Sequence, residues 1–393
     1  LTSPLEGRRL WLGGIGGAGM SGYALLAHAW GAEVRGWDRV RTPYLGHLHG
    51  IDVDISDDPP RPPDGWEVFV SSAFADRIDG KSRADLLAEL VSLRDAIVVA
   101  GAHGKTTTSG MIAFCLTRLG RDPAWLIGGE IPQLGGNAGA GVGWLVVEGD
   151  ESDRTVAALR PKIGVVTNVD LDHHTTFASR AEVDALFEQW LGHVPHVVRG
   201  DDLPPYDGPL ALHGEHNRRN AACAVAALEL AGIARNDVAR VLAEFTGAGR
   251  RLEPRGEAGG VEVLDDYAHH PAEIEATLAA ARDGGRLLVL FQPHLYSRTR
   301  HLAGELAGAL AGADAVAVAD VYPAREQPLA GVTGKLIIDA LVERRPGMPV
   351  AWTPAAADGA RFLARLARSG DRVLTVGAGD VDAAAPLLLE LLG

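Results

Sequence analysis

Short apolar runs alternate along this chain with longer alanine-rich or amphipathic stretches. In the first quarter Arg9–Leu12, Glu33–Trp37 and Trp66–Val70 read as strands, with a helix from about Ser21 to Trp30 between the first two. Ala96–Ala100, Trp144–Val147 and Ile163–Thr167 read as further strands, with helices running to about Leu119 and from about Asn217 to Ala231. Beyond a turn at Gly247–Arg251 come Val261–Leu264, Leu287–Phe291, Ala315–Ala319 and Arg372–Val376, with helical stretches between them. Apolar runs of this length without polar alternation suit strands buried on both faces, as in a parallel sheet covered by helices. The alternation of strand and helix therefore predicts an α/β protein. It separates into three stretches, predicting domains at 1–94, 95–248 and 249–393. The Pro59–Pro63 segment reads as a surface loop and 201–214 as a Pro/Gly-rich linker.

Composition narrows the classes of function. At 393 residues the chain is too long for one ordinary domain, and 47% hydrophobic with 22% charged residues is the balance of a soluble globular protein. A net charge of −14 argues against nucleic acid as a partner, while leaving room for anionic small molecules held locally by helix N-termini. No stretch approaches eighteen apolar residues, and Leu1–Arg9 leads straight into a strand. Neither a membrane span nor a secretory leader is expected, and the chain is expected in the cytoplasm as a monomer or weak homodimer. Cys115 and Cys223 sit in alanine-rich helical patterns and read as core residues.

Candidate chemistry gathers at predicted strand ends, where parallel sheets bind ligands. Gly14, Gly16, Gly17, Ala18 and Gly19, followed by Met20 and Ser21, form a strand–glycine–helix turn that lets a pyrophosphate approach a helix N-terminus. Asp38 ends the next strand, where an acidic residue commonly meets a ribose, and Ser71 and Ser72 close another. Many such turns bind something else or nothing. A second turn, Gly101–Thr108, has the working end of a P-loop: Gly101, His103, Gly104 and Thr107 offer backbone N–H groups, Lys105 a point charge and Thr106 a hydroxyl for Mg²⁺. Its strict pattern is not met, because Val99 stands where a glycine belongs. Glu148 and His173 follow strands that could lie beside it, and with Thr106 they make a plausible Mg²⁺ or Mn²⁺ set; the plain alternative is a solvated acidic rim. Asp265–Pro271 and Phe291–Arg298 place further polar side chains at strand ends, including the paired His269 and His270, which suit substrate contact better than a zinc site. Arg250 and Arg251 stand at the junction before the third stretch, where an arginine could reach a phosphate.

With these residues assembled, the chain resembles the Mur ligase superfamily, in particular its alanine-adding branch. The resemblance rests on GGIGGAGMSG (13–22), GAHGKTTT (101–108), EGDESD (148–153), NVDLDHH (168–174), GEHNRRN (214–220), GRRLE (249–253), DDYAHHPAEI (265–274), FQPHLYSRT (291–299) and DVYPAREQPLAG (320–331), in family order. It implies an N-terminal Rossmann-like domain holding a UDP-sugar, a central P-loop ATPase-type parallel sheet, and a C-terminal Rossmann-like domain receiving an amino acid. The implied reaction is ATP-dependent ligation of L-alanine to the lactyl carboxylate of UDP-N-acetylmuramic acid through an acyl phosphate, a step of peptidoglycan precursor synthesis. By motif position Lys105, His173 and Arg251 serve the chemistry and Thr106, Glu148 and His173 the metal. His216, Asn217 and Asn220 lie on the adenine side, Asp266 on the ribose, and Tyr267, His270, His294 and Arg298 around the amino acid.

Four departures bear on this. Leu295 stands where many relatives carry Arg, no lysine occurs from His174 to His196 to be carbamylated, and the chain is short for the family at Val197–Leu212 and between Ser72 and Ala96. A preformed tripeptide as acceptor, or a UDP-sugar sensor without catalysis, are the competing readings. Retention of Lys105, Thr106, Glu148, His173 and Arg251 together counts against the sensor. A nicotinamide dehydrogenase would explain the first glycine turn and leave the second without a role.

Overall fold

The structure, a computed structural model, describes residues 3–171, 176–324 and 326–393. The first sheet holds β1 (Arg9–Gly13), β2 (Glu33–Asp38), β3 (Asp52–Ile55), β4 (Glu67–Val70) and β5 (Lys81–Ser82), with helices α1 (Ala18–Ala29) and α2 (Arg83–Ser92). Its order is β3-β2-β1-β4-β5 and every pairing is parallel, so the strand order reverses beside β1, the place where such sheets open a crevice. Helix α2 begins with a capping box: the Ser82 hydroxyl accepts from the Asp85 N–H at 3.2 Å, and Asp85 accepts from the Ser82 N–H at 2.9 Å. That cap fixes Arg83 as the first helical residue.

The second sheet comprises β6 (Ala96–Ala100), β7 (Ala124–Ile131), β8 (Gly136–Gly139), β9 (Leu145–Glu148), β10 (Ile163–Val166) and β11 (His196–Arg199). Its helices are α3 (Lys105–Arg118), α4 (Arg180–Leu191), α5 (Glu215–Leu230) and α6 (Arg235–Leu242). The order β11-β10-β6-β9-β7-β8 puts β6 between β9 and β10. Ile97, Val99, Ile112, Phe114, Val146, Val165 and Leu228 are all buried in one core under α3 and α5. Cys115 and Cys223 belong to it as free thiols, pushed up to about 12 by burial.

The third sheet has β12 (Glu253–Ala258), β13 (Val261–Asp266), β14 (Leu287–Phe291), β15 (Ala315–Val318), β16 (Val350–Trp352) and β17 (Arg372–Val376), ordered β12-β13-β17-β14-β15-β16. Five helices accompany it: α7 (Pro271–Ala281), α8 (Tyr296–Leu310), α9 (Lys335–Arg344), α10 (Ala356–Leu366) and α11 (Ala385–Leu392). Alternate residues of β14 enter two different cores. Leu287, Val289 and Phe291 join one with Leu278, Leu306 and Ile337; Leu288 and Leu290 join the other with Leu363 and Leu388. Burial on both faces is why LLVLF reads as an unbroken apolar run, and truncating Leu290 to alanine would cost about 2–5 kcal/mol.

The first two sheets form one compact unit and the third sheet another. All three are parallel apart from the edge pairings β7–β8 and β12–β13. The strands the sequence pattern misses are β3, β5, β7, β8, β11, β12 and β16. Among the described residues no helix is long and apolar enough to cross a membrane.

Candidate functional site

The turn after β6 is assembled by its neighbours in the sheet. Gly101 has φ 128°, and a Cβ there would lie 2.2 Å from the Thr167 hydroxyl; Gly104 has φ 81°, and its Cβ would lie 2.1 Å from Asn220 Oδ1. Both positions need glycine for conformation and for space. At the end of β10, the Thr167 hydroxyl donates to the His103 carbonyl at 2.6 Å. Asn168 accepts from the His103 N–H at 3.0 Å and donates to its carbonyl at 2.9 Å. These bonds hold the loop open in one backbone shape, with α3 beginning at Lys105.

Charge is concentrated at that helix start. The Lys105 ammonium donates to the Gly101 carbonyl at 2.6 Å, the Ala102 carbonyl at 3.2 Å and Glu151 Oε1 at 3.0 Å. Burial works against its charge, but Glu151, Glu148 and Asp150 outweigh that and hold it above the ordinary lysine range. Glu148, at the end of β9, accepts from the Gly128 N–H at 2.8 Å and from the Thr106 hydroxyl. Burial pushes its carboxyl above the usual carboxylate range despite Lys105 and these two donors. A hydroxyl and a buried carboxylate thus meet at adjacent strand ends, a donor set that fits a hard divalent cation. His103 Nε2 lies 3.8 Å from Asp170. On α5, Asn217 bonds the His213 carbonyl at 2.7 Å and Asn220 packs on Gly104, so the predicted adenine-side residues, His216 included, share the helix that abuts the loop.

The first glycine turn is built with the opposite sign. Asp38, buried at the end of β2, accepts from the Gly16 N–H at 2.8 Å through one oxygen and from the Arg39 N–H at 2.7 Å through the other. Thr42 donates to the Gly16 carbonyl at 2.7 Å. Gly14 and Gly17 close the turn, and Ala18, Gly19, Met20 and Ser21 open α1. Ser71 and Ser72 follow β4, the neighbour of β1 at the reversal point. Asn137 on β8 donates to the Ala18 carbonyl at 3.2 Å, tying this helix start to the central hairpin. Arg83 pairs with Asp153 at 2.7 Å and lies 3.8 Å from Asp150.

In the unit built on the third sheet, the two junction arginines have different employment. Arg250, at φ 56°, bonds Asp265 at 2.7 Å and the Gly377 and Gly379 carbonyls, each at 2.7 Å. It is a fork clamped between two neighbouring strand ends, those of β13 and β17. Both guanidinium groups lie over the Tyr267 ring, that of Arg250 at 5.3 Å and that of Arg251 at 5.7 Å from its centroid. Asp266 accepts from the Leu252 N–H at 2.8 Å, the Ala268 N–H at 2.9 Å and the Thr277 hydroxyl at 3.0 Å, and burial pushes its carboxyl up. Tyr267, His269, His294 and Tyr322 form a run of ring contacts, with centroids 5.5, 5.7 and 5.9 Å apart in turn. Buried Arg298 reaches His294 Nδ1 at 3.3 Å, and His270 caps α7. Leu295 takes φ 69° and donates its N–H to the Tyr322 carbonyl at 2.9 Å.

Lys105, Thr106 and Glu148 are thus brought together, as are Tyr267, His294 and Arg298. His173 lies outside the described residues. Asn168 and Glu151 stand in motifs visible in the sequence but receive no role from it, and Thr167, Arg83, Asn137, Gly377 and Gly379 are not among the candidates it offers. Thr167, Asn168 and the two glycines carried a usable signal, a polar or glycine position directly behind an apolar run.

The model for the Mur ligase middle domain matches residues 99–203, and that for the Mur ligase, glutamate ligase domain, matches 250–379. The chain is 41% identical over 456 aligned positions to the UDP-N-acetylmuramate–L-alanine ligase of Kineococcus radiotolerans, covering 98% of this chain and 96% of that one. It is 38% identical to the protein of the same name from Streptomyces griseus, covering 96% of each. With 456 aligned positions against 393 residues, the Kineococcus protein carries segments that this chain lacks. Among solved structures, the UDP-N-acetylmuramate–alanine ligase of Thermotoga maritima matches with a TM-score of 0.77 at 25% identity, covering 97% of this chain and 98% of that one. A murein peptide ligase from Psychrobacter arcticus has the same fold, with a TM-score of 0.67 at 22% identity, covering 98% and 99%.

Proposed function

The chain belongs to the Mur ligase family, and we propose that it joins L-alanine to the lactyl carboxylate of UDP-N-acetylmuramic acid at the expense of ATP, in the cytoplasm, as a monomer or weak homodimer. The observation that carries this is the convergence of Lys105, Thr106 and Glu148 at adjacent strand ends, within a chain alignable nearly end to end with alanine-adding ligases. A carboxylate is a poor electrophile. Passing the γ-phosphoryl group of ATP to one of its oxygens releases ADP and leaves an acyl phosphate. The alanine amine then attacks the acyl carbon, and the tetrahedral adduct collapses with loss of phosphate and a proton.

We assign 1–94 to the UDP-sugar, with Gly14, Gly16, Gly17, Ala18, Gly19, Met20, Ser21, Ser71 and Ser72 around it and Asp38 bracing the turn. The span 95–248 is assigned to ATP. There the backbone at Gly101, His103, Gly104 and Thr107 cradles phosphates, and Lys105 offsets charge on the transferring group. His216, Asn217 and Asn220 take the adenine side. Thr106 and Glu148, with His173, are the residues for Mg²⁺ or Mn²⁺; such an ion, when bound, neutralises phosphate oxygens. The span 249–393 is assigned to the amino acid, with Tyr267, His270, His294 and Arg298 about its carboxylate. Arg251 is assigned to a phosphate and Asp266 to the ribose.

The test is phosphate release from ATP and Mg²⁺ with UDP-N-acetylmuramic acid, with and without each acceptor. Release that needs both the sugar and L-alanine is expected. Release only with a tripeptide would move the acceptor assignment, and no release with any acceptor would overturn the ligase.

A further inference from the structure

The Lys105 ammonium has three N–H donors, and all three are engaged: by the Gly101 carbonyl, the Ala102 carbonyl and Glu151 Oε1. A phosphate oxygen can reach it only by replacing one of them. The three are not equivalent. Glu151 is 2% exposed, and its ion pair with Lys105 is mostly withdrawn from water. Pulling the ammonium off Glu151 would separate a buried ion pair and leave the carboxylate facing an arriving polyanion, which is the costly exchange. Exchanging a neutral carbonyl for an anionic phosphate oxygen strengthens the hydrogen bond instead. The two carbonyls belong to the glycine loop itself, so the lysine is folded back onto the loop it serves.

We propose that Glu151 is a positioning residue for phosphoryl transfer: it keeps hold of Lys105 throughout, while an incoming triphosphate displaces the ammonium from a loop carbonyl. Lys105 then bridges Glu151 and the transferring group, and Glu151 sets where the ammonium sits rather than how tightly nucleotide binds. This rests on the assignment of the loop to ATP. Its signature differs from that of a merely structural carboxylate. Without the Glu151 charge the ammonium wanders off the transferring group but stays within the loop, so kcat falls and KM for ATP does not rise. A residue that only supported the fold would lose stability and raise KM.

The experiment uses the full chain as wild type, E151Q, E151D, K105M and the double variant E151Q/K105M. Phosphate release is followed with saturating UDP-N-acetylmuramic acid and L-alanine, and ATP affinity by calorimetry. E151Q is expected to lower kcat by up to about a hundredfold, the scale of an ångström-level misplacement, with KM for ATP unchanged or lower. E151D keeps the charge but draws it back by one methylene; it should show a smaller kcat loss and carries the test if E151Q does not fold. In the double variant the E151Q change should add nothing to K105M, in kcat or in ATP affinity. A rise in KM with kcat intact, or equal losses from E151Q with and without Lys105, would overturn the proposal. If the wild type binds ATP but releases no phosphate, the ligase assignment fails on its own, and the affinity cycle still decides whether Glu151 acts through Lys105.

Discussion

The turns after β1 and β6 share one local build, strand to glycine loop to helix, and differ in what charge stands beneath them. After β1 the loop is braced by the Asp38 carboxylate on the Gly16 N–H, and α1 opens with Ala18, Gly19 and Met20, none of them charged. After β6 the helix opens on Lys105, faced by Glu148 and Glu151. The first offers an anion backbone N–H groups and a helix end, which suits grip without chemistry. The second places mobile charge where charge must be redistributed, which suits phosphoryl transfer. One local build thus carries two charge patterns, and the side chains brought in from neighbouring strands decide between them.

The sharpest way to break this comparison is Lys105→Met. It should lower kcat by about 10²–10³-fold, the usual loss for one donor to a charged transition state, with UDP-sugar affinity retained. If steady-state kinetics show kcat intact, the second turn holds and does not react. Asp38→Ala tests the first turn: loss of two charge-assisted hydrogen bonds should cost about 1.5–3 kcal/mol in denaturant melts and raise KM for the UDP-sugar, with kcat kept. A fall in kcat alone would give Asp38 a chemical role and dissolve the contrast. Gly104→Ala should cost about 1–3 kcal/mol, because alanine is strained at φ 81° and its methyl meets the Asn220 amide. Asp153→Asn, which weakens the pair with Arg83 joining the first sheet to the acidic loop, is the smallest effect, up to about 1 kcal/mol for a partly exposed pair. Burial pushes the Asp153 carboxyl up, but the Thr155 and Arg83 donors outweigh it and hold it below its ordinary value. Its contribution is therefore full above the unfolded pKa and lost as pH falls through the lower folded one. The Tm gap between wild type and D153N should be constant near neutrality and close below about pH 4; a gap that widened in acid would contradict this sign.

Legibility in the sequence followed burial. Ala96–Ala100, Leu287–Phe291 and Arg372–Val376 were read to the residue, because strands covered on both faces are apolar throughout. The Asp52–Ile55, Gly136–Gly139 and Glu253–Ala258 strands escaped, since strands at sheet edges paired through the backbone need no apolar pattern. At the site, the two glycine turns and the polar residues ending each strand were visible as local strings. The residues alone leave the choice between Arg250 and Arg251 open and only the family resemblance makes it; that Arg250 is clamped to Asp265, Gly377 and Gly379 is a long-range contact no local string shows.

Contacts within a few residues were thus enough to specify the α/β class, the ends of the buried apolar strands and the kinds of side chain placed there. Only the tertiary structure decided which ends meet. Glu151 is 46 residues from Lys105 and Asn168 is 65 from His103, and they touch because β9 and β10 flank β6 in the sheet. The sheet order follows from how whole helices cover whole strands, an outcome of packing that no local string of residues encodes.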